Sequence, residues 1–260
     1  MTSSPIKTRT SIVLVGILLS IFLYLLMSLI KTKLFAQSGT ADLSTANSFF
    51  FSRLILWLYL LMIYVYVVKG EKQKFLLWSE KKSSVVFYIV SILLILAGIV
   101  IAIGILSKIE TYYGWNNSDK LKSMLRLLWK NKPLLLFTTV SAGIIEELLF
   151  RGYLIPRLQL LLKKTWLAVF VSSMLFGLAH YSYGNLSQII NPFVIGLIFA
   201  WHYQKYRNIK VLILCHFLID FISVLTTHWW NVISSFSSPA HTTNQSILLI
   251  VFQQQNHPPQ

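Results

Sequence analysis

The sequence has a single cysteine, Cys215, and only eight acidic residues among its 260 positions. One cysteine excludes an intramolecular disulfide and any thiol pair for a redox or zinc-knuckle motif. The sequence also lacks an H-E-x-x-H motif, a G-x-S-x-G motif and a glycine-rich phosphate loop. These absences exclude a zinc protease with both histidines on one helix, a nucleophile-elbow hydrolase and a P-loop nucleotide enzyme.

Charge of either sign is scarce, whereas apolar residues are abundant. Charged residues make up 12% of the chain and apolar residues 55%, with several apolar runs near 20 residues. This composition is typical of a multi-pass integral membrane protein in contact with a lipid bilayer. The net charge of +15 does not indicate nucleic acid, because the basic residues lie mostly in short connections between apolar runs.

The apolar runs predict the fold class. They cover residues 11–30, 49–68, 84–106, 134–155, 166–181, 188–203 and 209–227, and an eighth run, Ser246–Phe252, is too short to cross alone. We predict an all-α protein, a polytopic membrane bundle of about seven or eight transmembrane helices in one domain over residues 1–260. Residues 1–133 would hold the N-terminal spans and an amphipathic connection, residues 134–227 the motif-bearing core, and residues 228–260 a polar tail.

Basic residues in the connections predict the orientation. Most of the 23 Lys and Arg residues fall on one side if the N-terminus is cytoplasmic, so we expect that orientation. The run at 11–30 exceeds the apolar core of a signal peptide, so we expect it to be retained. The stretch "LKSMLRLLWKNKP" within 107–133 predicts an amphipathic surface helix.

Ionisable side chains inside the apolar runs form a small set. Five of the eight carboxylates, Asp42, Glu71, Glu80, Glu110 and Asp119, fall in loops or at span ends. The remaining set is Glu146, Glu147, Arg151, His180, His216 and Asp220. Each such group near a bilayer centre costs roughly 2.5–3.5 kcal/mol on insertion scales, and such groups mark proton, ion or catalytic sites.

Helix geometry separates the two adjacent glutamates. Glu147 and Arg151 are four residues apart, so they share a face and form a neutralising pair. Glu146 points about 100° away and has no partner in its own span. Gly143 lies near the face of Glu146, where it allows another helix to approach closely.

The partners of Glu146 are expected on other helices. His180 and His216 are the candidates, and Asp220 lies one turn beyond His216 on the same face. Glu146 and His180 meet only if the fourth helix continues past Arg157, or if the fifth span is shallow or re-entrant. We therefore predict that this helix extends to about Leu162, although Gly152 and Pro156 disfavour it.

Three motifs in order carry a family resemblance. They are "EELLFRG" from Glu146, "FGLAH" ending at His180 and "HFLID" from His216 to Asp220. They resemble the E-E-x-x-x-R, F-x-x-x-H and H-x-x-x-N motifs of the CPBP family. That family comprises CAAX prenyl protease 2 (Rce1-like) and bacteriocin-processing or immunity proteins. The resemblance covers roughly residues 134–227.

The resemblance implies an intramembrane endopeptidase. Glu146 would activate a water for attack on a peptide carbonyl, with His180 helping to hold it. His216 and the residue at 220 would stabilise the oxyanion, and Glu147, Arg151 and Phe176 would shape the site. The implied substrate is a membrane-anchored, hydrophobic or lipidated peptide. The oligomeric state is open.

Position 220 departs from the motif, because it is Asp where the motif has Asn. An ionised Asp cannot donate a hydrogen bond to an oxyanion. Asp220 would then be protonated, orient His216 or bind a metal. Cofactors therefore remain open between none and zinc, with Glu147, His180, His216 and Asp220 as candidate ligands.

Two other functions are open at this point. One is a non-catalytic immunity or scaffolding protein that keeps the cavity and binds a peptide. The other is a proton-coupled transporter in which Glu146 and the histidines form a relay.

Overall fold

The protein is built from helices in the computed structural model, which describes residues 10–35, 43–114, 119–183 and 185–237. No strand occurs within these ranges. The helices are α1 (Thr10–Phe35), α2 (Leu43–Val65), α3 (Val85–Tyr112), α4 (Asp119–Lys130), α5 (Lys132–Glu147), α6 (Ile155–Leu162), α7 (Thr165–Leu178), α8 (Ser187–Tyr206) and α9 (Ile209–Ser237). A π-helical turn, Tyr66–Glu71, follows α2, a π-helical segment, Leu148–Leu154, joins α5 to α6, and a 3₁₀ turn, Tyr181–Tyr183, follows α7.

Five helical stretches of the described chain are long and apolar enough to cross a membrane. They are Thr10–Met27, Ala46–Glu71, Val85–Tyr112, Lys132–Leu162 and Ile209–Trp229. The predicted all-α polytopic membrane bundle is confirmed. The runs at 166–181 and 188–203 also form helices, but α7 has only 14 residues and α8 contains Pro192 and several polar residues. The eighth run, Ser246–Phe252, lies outside the described residues.

The apolar core has two main parts. The larger part lies between α1, α2, the π-helical segment and α7, where Ile63, Tyr153 and Phe176 are buried. The second lies between α3, α8 and α9, around Phe199 and Leu212. Many other apolar side chains of α1, α2 and α3 are exposed on the protein surface, as expected for helices that face lipid.

The helix that carries the paired glutamates continues for 31 residues, from Lys132 to Leu162. The predicted extension to Leu162 is therefore confirmed. The π-helical segment Leu148–Leu154 widens the helix just before Pro156, which has no N–H to donate. Ser172 of α7 donates a hydrogen bond of 2.7 Å to the carbonyl of Phe150, so that carbonyl is satisfied from a neighbouring helix.

The predicted amphipathic connection forms α4. Its apolar side contacts α5 and α9, where Leu128 is buried. Trp129 stacks on His228 of α9 with ring centroids 4.2 Å apart, and the Lys132 ammonium lies 2.7 Å from the centre of the same tryptophan ring. The helix thus packs on the bundle as well as presenting a basic face. A position at the membrane surface stays a prediction.

Glu71 and Arg157 form a buried ion pair that the sequence did not indicate. Glu71 falls at a span end in the sequence and Arg157 just beyond the apolar run 134–155, but the two residues are only 5% and 0% exposed. The Arg157 guanidinium donates to both Glu71 oxygens, since Nη2 and Nε lie 2.6 and 2.9 Å from Oε2 and Nε lies 3.1 Å from Oε1. Tyr153 donates to the same carboxylate at 3.3 Å. This pair fastens the extension of the long helix to the turn after α2.

We predict that Glu71→Gln destabilises the protein, because it leaves the Arg157 charge buried without its counter-ion. Removing one partner of a buried pair costs about 3 kcal/mol or more. That loss corresponds to a melting temperature lower by roughly 6–12 °C for a chain of this size.

The matched control is Glu80→Gln, because the Lys210 ammonium, 3.6 Å from the Glu80 carboxylate, is exposed, and Gln keeps an oxygen that accepts from the N–H of Ile209. Exposed pairs contribute about 0–1 kcal/mol, so the control should melt within a few degrees of the unaltered protein. Equal melting temperatures for the two variants in detergent would contradict the structural role of the Glu71–Arg157 pair.

Candidate active site

Two glycines allow the helices that carry the motif residues to approach closely. A Cβ at Gly143 would lie 3.0 Å from the carbonyl oxygen of Ile213, so α9 approaches the face of α5 that carries Glu146. A Cβ at Gly177 would lie 2.7 Å from the carbonyl oxygen of Ile189 on α8. Both contacts are with backbone, which cannot move away without shifting a helix. The predicted close approach at Gly143 is confirmed.

Glu147 joins the long helix to α9. Its Oε1 accepts a hydrogen bond of 2.8 Å from Nη1 of Arg151 and one of 2.7 Å from Nδ1 of His216. The predicted pair with Arg151 therefore exists, and the Glu147 and Arg151 residues are both fully buried.

Arg151 contacts two further elements. Its guanidinium lies 4.3 Å from the ring centre of Phe176 on α7, and its Nη2 donates to the carbonyl of Gly196 on α8 at 3.4 Å. Together, Glu147 and Arg151 hold α7, α8 and α9 against one turn of the long helix. Phe176 also contacts the rings of His180 and His216, at 5.0 and 6.0 Å between centroids.

The other glutamate, Glu146, faces both predicted imidazoles. Its Oε2 lies 3.8 Å from Nε2 of His216 and 4.0 Å from Nε2 of His180. Oδ2 of Asp220 lies 3.7 Å from the same Nε2 of His216. These separations are too long for direct hydrogen bonds. The buried Oε2 of Glu146 accordingly has no hydrogen-bond partner among the described residues.

Each imidazole is oriented through its Nδ1. The Nδ1 of His180 lies 2.8 Å from the carbonyl oxygen of Phe176, and the Nδ1 of His216 lies 2.7 Å from the Glu147 carboxylate. Carbonyl and carboxylate oxygens only accept, so both Nδ1 atoms carry the proton. The two Nε2 atoms consequently point towards Glu146.

The four side chains line one cavity of about 230 Å³. Its ionisable side chains are those of Glu146, His180, His216 and Asp220, together with Arg53 of α2. Most of the remaining wall is apolar and includes side chains from α4, namely Leu121, Met124, Leu125 and Leu128. The cavity therefore places an acid and two imidazoles beside an apolar surface.

The donor atoms of this cavity do not fit a zinc site as they stand. Tetrahedral zinc ligands at about 2.0–2.1 Å from the ion lie roughly 3.3 Å apart, which is closer than the pairs here. Within the described ranges, no group of three or more His, Cys, Asp or Glu side chains is arranged to hold a metal ion. Of the candidate ligands, Glu147 is already engaged by Arg151 and His216. The zinc alternative stays a prediction.

Arg53 is the cavity residue that the sequence reasoning missed. It lies inside the apolar run 49–68, and a charged side chain within a span is the signal that could have identified it. Its residue is 9% exposed and its buried Nε has no hydrogen-bond partner in the described part of the chain.

The geometry agrees with the family that the three motifs resemble. Residues 128–222 match the model of the type II CAAX prenyl endopeptidase Rce1-like family. The match contains all three motifs and confirms the resemblance over somewhat more than a third of the chain. No curated protein and no solved structure is significantly similar to the chain.

At family level the Rce1-like match supports a CAAX-type intramembrane protease, and the apolar helices agree with an integral membrane protein. Helices α5 to α8 lie wholly within the matched residues, together with the part of α9 that carries His216 and Asp220. Helices α1, α2 and α3 lie outside it, and with them Arg53 and Glu71. The catalytic roles of Glu146, His180, His216 and Asp220 stay predictions.

We predict that Gly177→Ala destabilises the bundle, because its methyl group forces α7 and α8 apart. Overpacking of this kind costs about 1–3 kcal/mol. The control is Gly98→Ala in α3, where a Cβ would meet no atom within 4 Å. Alanine in a helix interior is favoured over glycine by up to about 1 kcal/mol, so this variant should be neutral or stabilised. Melting curves in one detergent compare the two, and equal stability would contradict the close packing at Gly177.

Proposed function

We propose that the protein is an intramembrane endopeptidase that hydrolyses a peptide bond of a membrane-associated or lipidated peptide with a water activated by Glu146. One observation carries the proposal: the unpartnered Oε2 of Glu146 lies about 4 Å from two oriented imidazoles in a partly apolar cavity. The family match over the same residues supports the reaction class.

The separation of about 4 Å suits a water molecule between the groups. A polar contact longer than 3.5 Å is commonly bridged by a water. In our proposal, the water donates one hydrogen bond to Oε2 of Glu146 and another to Nε2 of His180. Glu146 then removes the proton as the water oxygen attacks the carbonyl carbon, and it returns that proton to the amine when the C–N bond breaks.

His216 is placed to stabilise the oxyanion of this reaction. With a proton on both nitrogens, it donates to Glu147 through Nδ1 and to the oxyanion through Nε2. The carboxylates of Glu147 and Asp220 then stabilise its positive charge. Asp220, at 3.7 Å from Nε2, orients the imidazole in this mechanism rather than donating a hydrogen bond.

The apolar wall of the cavity supports a hydrophobic peptide as the substrate. Leucine and methionine side chains of α4 would contact apolar residues beside the scissile bond, while the polar part contacts its carbonyl. The matched family is described as a prenyl endopeptidase, which adds a lipidated peptide to the proposed class.

We predict that Glu146→Gln abolishes cleavage of a membrane-anchored peptide while the peptide still binds. Loss of a general base lowers the rate by about 10²- to 10⁴-fold. The matched control is Glu110→Gln, because Gln keeps the oxygen that accepts from Asn191, outside the cavity.

The products of the purified protein in detergent are measured by mass spectrometry, and binding by fluorescence anisotropy. Cleavage by Glu146→Gln at the unaltered rate would contradict the proposal. Binding without cleavage by the unaltered protein would favour an immunity or scaffolding function, and pH-driven uptake into sealed vesicles without products would favour a transporter.

The proposed mechanism has no metal step, so a chelator should leave turnover unchanged. Elemental analysis of the purified protein should find zinc well below one atom per chain, before and after the treatment. A zinc protease with H-E-x-x-H ligands serves as the positive control for chelation. Stoichiometric zinc whose removal stops cleavage and whose return restores it would overturn the metal-free mechanism.

A further inference from the structure

We infer that Arg53 donates a hydrogen bond to the oxyanion, a role that Asp220 cannot fill while its carboxylate is ionised. The inference rests on the proposed function and adds a catalytic residue to it. As water attacks the carbonyl carbon, the C=O electron pair moves to the oxygen, and a guanidinium N–H of Arg53 stabilises that charge. The charge returns to the carbonyl when the C–N bond breaks.

The position of Arg53 supports this role. Arg53 lies on α2, outside the residues that match the family, yet its side chain lines the same cavity as Glu146, His216 and Asp220. The residue is more than nine-tenths buried, and its buried Nε has no hydrogen-bond partner among the described residues. A donor is therefore free at the edge of the proposed reaction site.

The energetics favour a functional reason for this arginine. A buried polar group without a partner costs free energy, and a guanidinium in an apolar span costs more than most. The other two buried arginines of the described chain each have a carboxylate within hydrogen-bond distance, since Arg151 pairs with Glu147 and Arg157 with Glu71. Arg53 has no such close pair within the described ranges, although its charge acts on Glu146 and Asp220 across the cavity.

The residue at 220 explains why an additional donor is useful. Asp220 is one turn beyond His216 and lines the cavity, but an ionised carboxylate is an acceptor only. It would face a developing oxyanion with like charge. The Arg53 guanidinium is always charged and carries five N–H donors, so it can supply the missing donor and offset that repulsion.

A purely electrostatic role makes a different prediction from a donor role. If Arg53 only balances the charge of Asp220, any neutral residue at 220 should make Arg53 dispensable. If Arg53 is a donor, only a neutral residue that donates should do so. Asn and Leu have nearly the shape of Asp, but only Asn has an N–H group. Because both changes also remove the carboxylate that orients His216, the loss caused by Arg53→Met is measured relative to each Asp220 variant alone.

The experiment measures kcat and KM for peptide cleavage by Arg53→Met, alone and combined with each Asp220 variant. Met keeps the length of the side chain and removes charge and donors. We expect Arg53→Met to lower kcat by about 10²- to 10³-fold, as for other lost oxyanion donors, with KM changed less than about threefold. In the Asp220→Asn background, the loss of kcat caused by Arg53→Met should be at least about tenfold smaller than in the unaltered protein, and in the Asp220→Leu background it should be undiminished.

Arg53→Lys is the control for a folding defect, because it keeps a cationic donor. It should melt within a few degrees of the unaltered protein and retain more activity than Arg53→Met. An unchanged kcat in Arg53→Met, a rise in KM alone, an undiminished loss in the Asp220→Asn background, or equal losses in the Asn and Leu backgrounds would each overturn the inference. Cleavage that is lost in Glu146→Gln but intact in Arg53→Met would leave the proposed function standing, whereas no cleavage by the unaltered protein would refute both.

Discussion

The carboxylate of Glu147 is fully buried and accepts hydrogen bonds from Arg151 on its own helix and from His216 on α9. Neither charge could be buried alone at acceptable cost, and breaking a buried pair costs about 3–5 kcal/mol. The hydrogen bond between Glu147 and His216 therefore fixes the rotation of the long helix relative to α9. It also fixes the imidazole of His216, whose Nε2 consequently faces Glu146. The remaining site geometry depends on this one interaction, since Arg151 in turn contacts Phe176 on α7 and Gly196 on α8.

The two adjacent glutamates differ in role, since Glu147 is structural and Glu146 has the proposed chemical role. Oε1 of Glu147 accepts from Arg151 and His216, and Glu147 lies outside the cavity wall, whereas Glu146 lines the cavity and its Oε2 has no hydrogen-bond partner among the described residues. Helix geometry enforces this division, because adjacent residues point about 100° apart. A carboxylate held without a direct partner is costly in an apolar setting. Its retention beside two oriented imidazoles and an arginine is the physical basis for the hydrolase that we propose.

Local spacing predicted most of the motif geometry. The four-residue spacing of Glu147 and Arg151, and that of His216 and Asp220, predicted shared faces, and Gly143 predicted a close helix contact. The extension to Leu162 was predicted against the local signals of Gly152 and Pro156, and the π-helical segment explains how those residues are accommodated.

Non-local pairs were not predictable in the same way. Arg157 finds its counter-ion 86 residues away, and nothing near either residue in the chain indicates the other. Arg53 likewise lines the cavity of Glu146 only because α2 packs beside the motif helices.

The most direct test of the hydrolase is the reaction of the purified protein with a membrane-anchored peptide in H₂¹⁸O. Mass spectrometry under single-turnover conditions should find cleavage at an internal peptide bond, with one ¹⁸O atom in the new carboxylate. An intact peptide, or products without ¹⁸O, would contradict the proposed attack by water.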